Sequence, residues 1–294
     1  VTGPNEHDEP TEQPGTGLES VELSGVPETA LWTLYFRALG ARHGYAGLHD
    51  PLASTLVDSL DYPFQDRFGN ADAKLAHYQA QRQARRVACV DQEVRRFLAR
   101  HPEGTVVALG EGLETQFWRV DNGRVRWLSV DLPEAVELRE RVLPGSPRQR
   151  TVAGSALEPA WMDAVEPDAG VLITAQGLLM YLPPPDVRTL IAGCAQRFPG
   201  GELVLDAVPR WFTRPRTRAR MSEQGYAAPP MPWAMNADEI QKIRRVHPTI
   251  SRVEELRWPP PEQRVLRALA PIGRRLPGLG PMRMSVVAVH FAAA

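Results

Sequence analysis

Lysine and cysteine are almost missing from this chain. Lys74 and Lys242 are the only lysines, so arginine carries nearly all the positive charge. The two cysteines, Cys89 and Cys194, belong to no Cys-x-x-Cys pattern and to no Cys/His cluster. That excludes a disulfide framework and a structural zinc site, and the pair reads as buried free thiols in a reducing compartment. No metal is expected. No apolar run reaches the length of a membrane span, and no basic-then-apolar segment opens the sequence, so a cytoplasmic protein without membrane association is expected. An excess of charge is also lacking: the formal net charge is -1, which gives no footing for nucleic acid or an anionic membrane as a partner. The seven histidines are scattered over positions 7, 43, 49, 77, 101, 247 and 290, and none stands out as a general base.

What is present points to an α/β protein. At 294 residues and 43% hydrophobic, the chain suits one large domain with an accessory cap. Residues 1–24, rich in Pro, Gly, Glu and Thr, read as a flexible leader. Residues 25–100 read as a helical cap: Ala30, Leu31, Leu34, Tyr35 and Ala38 recur at helical spacing, a short helix follows Asp50-Pro51, and 71–100 forms a long one. From 101 to 208 short β-rich runs (105–109, 126–130, 150–153, 171–175, 202–206) alternate with helical stretches at 133–143 and 185–198. Near-continuous apolar strands separated by helices predict a mainly parallel sheet covered on both faces. Residues 209–250 read as an insertion over the substrate, with Asn236 and Glu239 as a capping box for a helix to Val246. Residues 251–294 close the core, and 284–291 is expected to return as an antiparallel strand.

The chemistry gathers on a strand, a glycine turn, a helix, a second strand and an acid. Leu109 ends the first strand, and Gly110-Glu111-Gly112 lets the backbone turn tightly beneath a ligand. Asp131 follows about 20 residues later at the end of the next strand, where a carboxylate accepts from both hydroxyls of an adenosine ribose. Thr115 stands where a dinucleotide fingerprint has its third glycine, and no second nucleotide half follows, so S-adenosylmethionine is favoured over a dinucleotide. A glycine turn without any ligand is the plain alternative, and Asp131 weighs against it.

Four ordered motifs extend this reading: 107–115 (VALGEGLET), 130–134 (VDLPE), 153–155 (AGS) and 176–182 (QGLLMYL). Together with Pro27-Glu-Thr-Ala30 and the stretch from Arg86 to Asp91, they resemble the leucine carboxyl methyltransferase superfamily. The resemblance covers about 24–206 and is nearest to the branch of bacterial polyketide O-methyltransferases of the tetracenomycin type, which belongs to secondary metabolism. It implies a Rossmann-like S-adenosylmethionine-dependent methyltransferase with a seven-stranded sheet whose last strand is antiparallel. It also implies roles. Gly110 and Gly112 underlie the methionyl part, Asp131 takes the ribose and Leu132 flanks the adenine. Ser155 and Ala156 line the adenine edge, and Arg86 reaches the cofactor carboxylate. Gln176 faces the amino group, and Glu111, Thr115 and Gly177 complete the cofactor set. Tyr181 sits near the transferred methyl. Beyond the stretch that carries the resemblance, the aromatic segment 211–233 reads as a substrate cap in which Trp211, Phe212, Tyr226 and Trp233 contact the substrate, with ordinary packing over the sheet edge as the plain alternative.

The pattern departs from the family at Gln176, where an acid is usual, at Glu114-Thr115-Gln116, where Asp-Thr-Arg is usual, and at Glu111. The neutral Gln176 implies weaker cofactor binding unless Glu111 or Glu114 supplies the missing charge, and Gln176 with Gln116 keeps open a second reading, a cofactor-binding protein whose methyl transfer is lost or repurposed. A carboxylate acceptor is ionised at neutral pH and needs no base, so the lack of one favours a carboxylate or acidic hydroxyl of a small molecule. Arg210, Arg214, Arg216, Arg218 and Arg220 form a basic run that could hold an anionic substrate. A monomer or homodimer is expected.

Overall fold

The apolar runs picked out by the sequence become the strands of one sheet. The computed structural model of the chain describes residues 19–20, 28–69, 73–217, 229–261 and 283–293. The expected leader lies outside these apart from Glu19–Ser20, which pair in parallel with Leu60–Asp61. The main strands are β1 (Thr105–Leu109), β2 (Arg126–Asp131), β3 (Gln149–Ala153), β4 (Val171–Ala175), β5 (Glu202–Ala207), β6 (Ile250–Glu255) and β7 (Ser285–Phe291). Their order across the sheet is β3-β2-β1-β4-β5-β7-β6. The first five are parallel, and β7 runs antiparallel between β5 and β6. Every residue of β1 and β4 is buried, as central strands covered on both faces require.

Alternation along these strands splits the core into two layers. Of the helices that follow β1, α4 (Gln116–Val120) and α5 (Pro133–Val142) precede α6 (Pro184–Arg197). Val107, Leu109, Ile173 and Leu205 face α6, whose Val187, Leu190, Ile191 and Cys194 meet them. Val106, Ala108, Leu172 and Val204 face the other way, against Cys89, Val90, Val94 and Phe97. Those four lie on α3 (Ala73–Arg100), the long helix that ties the cap to the sheet. Both cysteines are therefore buried thiols, one on each side. Burial pushes the Cys194 thiol up to about 12.

The cap is completed by α1 (Thr29–Arg42) and α2 (Pro51–Ser59). Asp50 caps α2 by accepting from Ala53 N–H at 3.0 Å. Arg37 on α1 is fully buried and joins cap to core: Nε donates to Asp50 at 2.9 Å, Nη1 to Glu114 at 3.2 Å and Nη2 to the Leu113 carbonyl at 2.6 Å. A guanidinium with its carboxylates supplied from both parts is a satisfied buried charge.

Two expectations change in the C-terminal third. The helix anticipated from Asn236 to Val246 is only a single 3-10 stretch, Ile240–Arg245. Half of the capping box forms, since Glu239 accepts from Asn236 N–H at 3.2 Å, but the Asn236 side-chain oxygen Oδ1 is taken by Arg210 N–H. The seventh strand, β6, was not marked by the sequence pattern. Among the described residues no helix is long and apolar enough to cross a membrane, and no group of three or more His, Cys, Asp or Glu residues is placed to hold a metal.

Candidate active site

The parallel strands present their C-terminal ends to one cleft of about 270 Å³, at the switch point between β1 and β4 where open α/β sheets bind ligands. Gly110 leaves β1 with φ +60° and Gly112 follows at +52°, a left-handed backbone that L side chains adopt only at a cost. Space matters as well: a Cβ on Gly112 would lie 2.9 Å from Ala30 Cβ, and one on Gly110 would lie 2.9 Å from the Leu178 side chain. The loop is thus pinned between α1 and the segment after β4.

Asp131 closes the neighbouring strand end. Its carboxylate accepts from Gly112 N–H at 2.6 Å and from Leu132 N–H at 2.8 Å. Burial pushes its pKa up, against the pull of those two N–H groups. Each oxygen keeps lone pairs for hydroxyl donors. Leu132, Ser155, Ala156, Gln176, Gly177 and Tyr181 line the same cleft, as does Arg86 from α3. Gln176 Nε2 donates to Gln116 Oε1 at 3.0 Å, and Gln116 Nε2 donates to Asp91 at 2.7 Å. The Gln176 carbonyl oxygen, by contrast, is buried with no hydrogen-bond partner among the described residues. An orphaned acceptor is what a cofactor ammonium requires.

Several expected residues serve other ends. Thr115 is fully buried away from the cleft and donates to Asp50 at 2.6 Å. Glu111 lines the cleft, but its carboxylate takes bonds from Trp127 and Ser129 and pairs with Arg139 at 3.2 Å. Burial raises the pKa of Glu111, against Arg139 and those two bonds. Burial would raise Glu114 too, but Arg119 and Arg37 reverse this and hold it at about 2. Neither glutamate therefore has spare charge for a ligand. Arg86 is not waiting alone for a carboxylate: Nη1 pairs with Asp206 at 2.5 Å, and Asp206 also accepts from Gly177 N–H at 2.8 Å. Asp206, at the end of β5, escaped the sequence reading. An acid closing a buried parallel strand was its signal, the same signal that identified Asp131.

A second, smaller cavity adjoins the cleft, and Thr29, Thr33, Arg86, Gly177 and Tyr181 form a wall common to both. Tyr181 thus stands at the junction, with its hydroxyl pushed up to about 12 chiefly by burial. Of the expected substrate contacts, Phe212 lines this cavity. Trp211 packs edge-on against Phe212 but is not part of the lining. Trp233 is buried in the α6-side core, because its apolar ring fills the sheet flank. Tyr226 lies outside the described residues, as do Arg218 and Arg220. The rest of the basic run faces solvent: Arg214 and Arg216 are exposed, and Arg210 pairs with Glu239 at 3.0 Å. Arg210, Arg214 and Arg216 line neither cavity.

Comparison with known proteins agrees with this geometry. The family model for leucine carboxyl methyltransferase matches residues 30–195. The chain is 33% identical over 198 residues to the tetracenomycin polyketide synthesis O-methyltransferase TcmP of Streptomyces glaucescens, covering 67% of this chain and 71% of that protein. It is 26% identical over 202 residues to the S-adenosyl-L-methionine-dependent methyltransferase dpfgK of Gibberella zeae, covering 64% and 67%. Among solved structures, a DUF574 family protein from Streptomyces avermitilis shares the fold with a TM-score of 0.55 at 16% identity, covering 82% of this chain and 95% of that one.

Proposed function

Because the chain belongs to the leucine carboxyl methyltransferase family, we propose that it methylates a carboxylate or acidic hydroxyl on a small polyketide-like molecule. The cofactor is S-adenosylmethionine. One observation carries the reading: four motifs separate in sequence, at 110–112, 131–132, 155–156 and 176–177, line a single cleft. In this reading Asp131 holds the ribose hydroxyls, the orphaned Gln176 oxygen accepts from the ammonium, and Leu132, Ser155 and Ala156 frame the adenine. Arg86 faces the cofactor carboxylate through its Nε, which is buried without a partner among the described residues.

When bound, the cofactor supplies an activated methyl group, so the acceptor oxygen forms the C–O bond while the S–CH3 electron pair stays on sulfur. The protein's part is alignment and exclusion of water. Tyr181, held neutral by its raised pKa, orients groups as a hydrogen-bond donor and is not a base. Among the described residues no histidine lines either cavity, and the nearby carboxylates are committed to arginines or backbone. An acceptor already ionised suits that inventory.

Calorimetry with S-adenosylhomocysteine tests the pocket: the wild-type protein binds, and Asp131→Ala binds at least tenfold more weakly. A wild-type protein that binds neither S-adenosylhomocysteine nor S-adenosylmethionine would overturn the proposal. The neutral Gln116–Gln176 pair favours a second reading, cofactor binding without methyl transfer. Binding with no methylation of any acid would support it.

A further inference from the structure

Two amides in series lie between the cleft and a buried acid. Asp91 stands on α3, Gln116 opens α4 and Gln176 follows β4, so three separate elements meet here. Asp91 is 2% exposed and Gln116 only 1%, so both depend on protein partners. Arg119 holds Asp91 from one side: Nε donates to Oδ2 at 2.8 Å and Nη2 to Oδ1 at 3.1 Å. Gln116, three residues earlier on the same helix, donates its Nε2 to Oδ1 at 2.7 Å. A carboxylate accepts and never donates, so Gln116 turns its NH2 group to Asp91 and its carbonyl oxygen away. That oxygen takes Gln176 Nε2 at 3.0 Å, which leaves the Gln176 carbonyl oxygen as the end of the chain. It is the same oxygen that is buried without a partner among the described residues, on a side chain that lines the cleft. Each amide has one donor end and one acceptor end, so each link fixes the direction of the next.

We propose that Asp91 is a positioning residue: through Gln116 it fixes the Gln176 amide with its oxygen toward the cleft, and so makes that position selective for the cofactor's ammonium group. The inference rests on the S-adenosylmethionine reading and deepens it, because it names what orients the one neutral acceptor in that site. Position 176 carries no charge of its own in this chain. Asp91 acts on it from two side chains away, and its effect arrives as orientation. A reversed chain would set Gln116 Oε1 against the Asp91 carboxylate, two acceptors with no proton between them, and would aim an NH2 group at a cation. Gln116 and Gln176 both depart from the family pattern, and they work as one unit because Asp91 directs them both.

The test is calorimetry on the full chain with S-adenosylhomocysteine beside its desamino analogue, in which hydrogen replaces the α-amino group. Wild-type protein binds S-adenosylhomocysteine about tenfold more tightly than the analogue, the gain of one hydrogen bond to a charged group. Asp91→Asn keeps the shape of the residue. Its oxygen stays on Arg119 Nε, its NH2 group falls where Oδ1 stood, and both amides reverse. The preference then drops below about twofold, while affinity for the analogue holds within about twofold. Adding Gln176→Glu to Asp91→Asn restores the preference, because a carboxylate offers oxygen at both ends and has no direction to lose. Gln116→Met leaves the Asp91–Arg119 pair in place and cuts the relay, so it lowers the preference about threefold and decides the matter even if Asp91→Asn does not fold. A wild type without the preference, or either single variant that keeps it, would overturn the inference. Equal losses for both ligands in Asp91→Asn, unrepaired by Gln176→Glu, would show a purely structural role and overturn it too. If wild-type protein binds neither ligand, the methyltransferase reading fails instead, and the wild-type titration tells the two failures apart.

Discussion

Gln176 and Gln116 stand where the family pattern carries an acid and an arginine, and in this chain they bond to each other. Restoring the acid alone is therefore not a simple repair. Gln176→Glu would set a carboxylate against Gln116 Oε1 and remove the 3.0 Å bond. A charge-assisted bond to the cofactor ammonium contributes about 1.5–3 kcal/mol against roughly 1 for a neutral one, so the gain and the lost bond nearly cancel. We expect Gln176→Glu to change S-adenosylhomocysteine affinity less than threefold, and Gln176→Glu with Gln116→Arg to tighten it about tenfold, a coupling read by a double-mutant cycle in calorimetry. Additive single effects would contradict it. At this scale the sequence revealed the backbone-facing residues best. Gly110, Gly112 and Asp131 are fixed by local turn and strand geometry. Thr115, Glu111 and Arg86 were harder, because their partners Asp50, Arg139 and Asp206 come from other elements and no spacing announces them.

Elements show the same division. All five parallel strands and β7 were marked by the sequence pattern, the inner ones as apolar runs, since a strand buried on both faces must be apolar throughout. The edge strand β6 carries Ser251, Arg252, Glu254 and Glu255, has only two buried positions and reads as loop. The short Ile240–Arg245 turn took the place of a helix because Glu239 spends its carboxylate on Arg210 and Lys242 as well as on the cap. The glycine loop depends on two elements at once, its own strand and α1 across from it. Gly112→Ala adds about 1–2 kcal/mol of left-handed backbone strain and drives a methyl group against Ala30. We expect a lower Tm and at least tenfold weaker S-adenosylhomocysteine binding. An alanine variant that binds normally would show that α1 is not a rigid wall of the cleft.

Across the whole molecule, the cap and the sheet share buried charge. Asp50 accepts from Arg37, from Arg119 at 2.7 Å and from Thr115, and Arg119 also reaches Asp91 at 2.8 Å. Breaking such a set by removing one partner costs about 3–5 kcal/mol, so the cap cannot part from the core cheaply. The second cavity became visible only at this scale. Arg82, Gln83, Phe212, Trp258 and Met284 come together from four separate stretches of chain, and no motif joins them.

The two cysteines, one on α6 and one on α3, give that shared architecture a clock with two hands. A thiol reagent in the solvent can modify Cys194 only when the α6 side opens, and Cys89 only when the α3 side does. If the molecule opens as one cooperative body, both sulfurs acquire label at a single rate, and that rate rises together with denaturant. Mass spectrometry of pulse-labelled protein should then find unlabelled and doubly labelled chains with few singly labelled ones. A persistent singly labelled population would mean that one side of the sheet breathes without the other, and its position would say which.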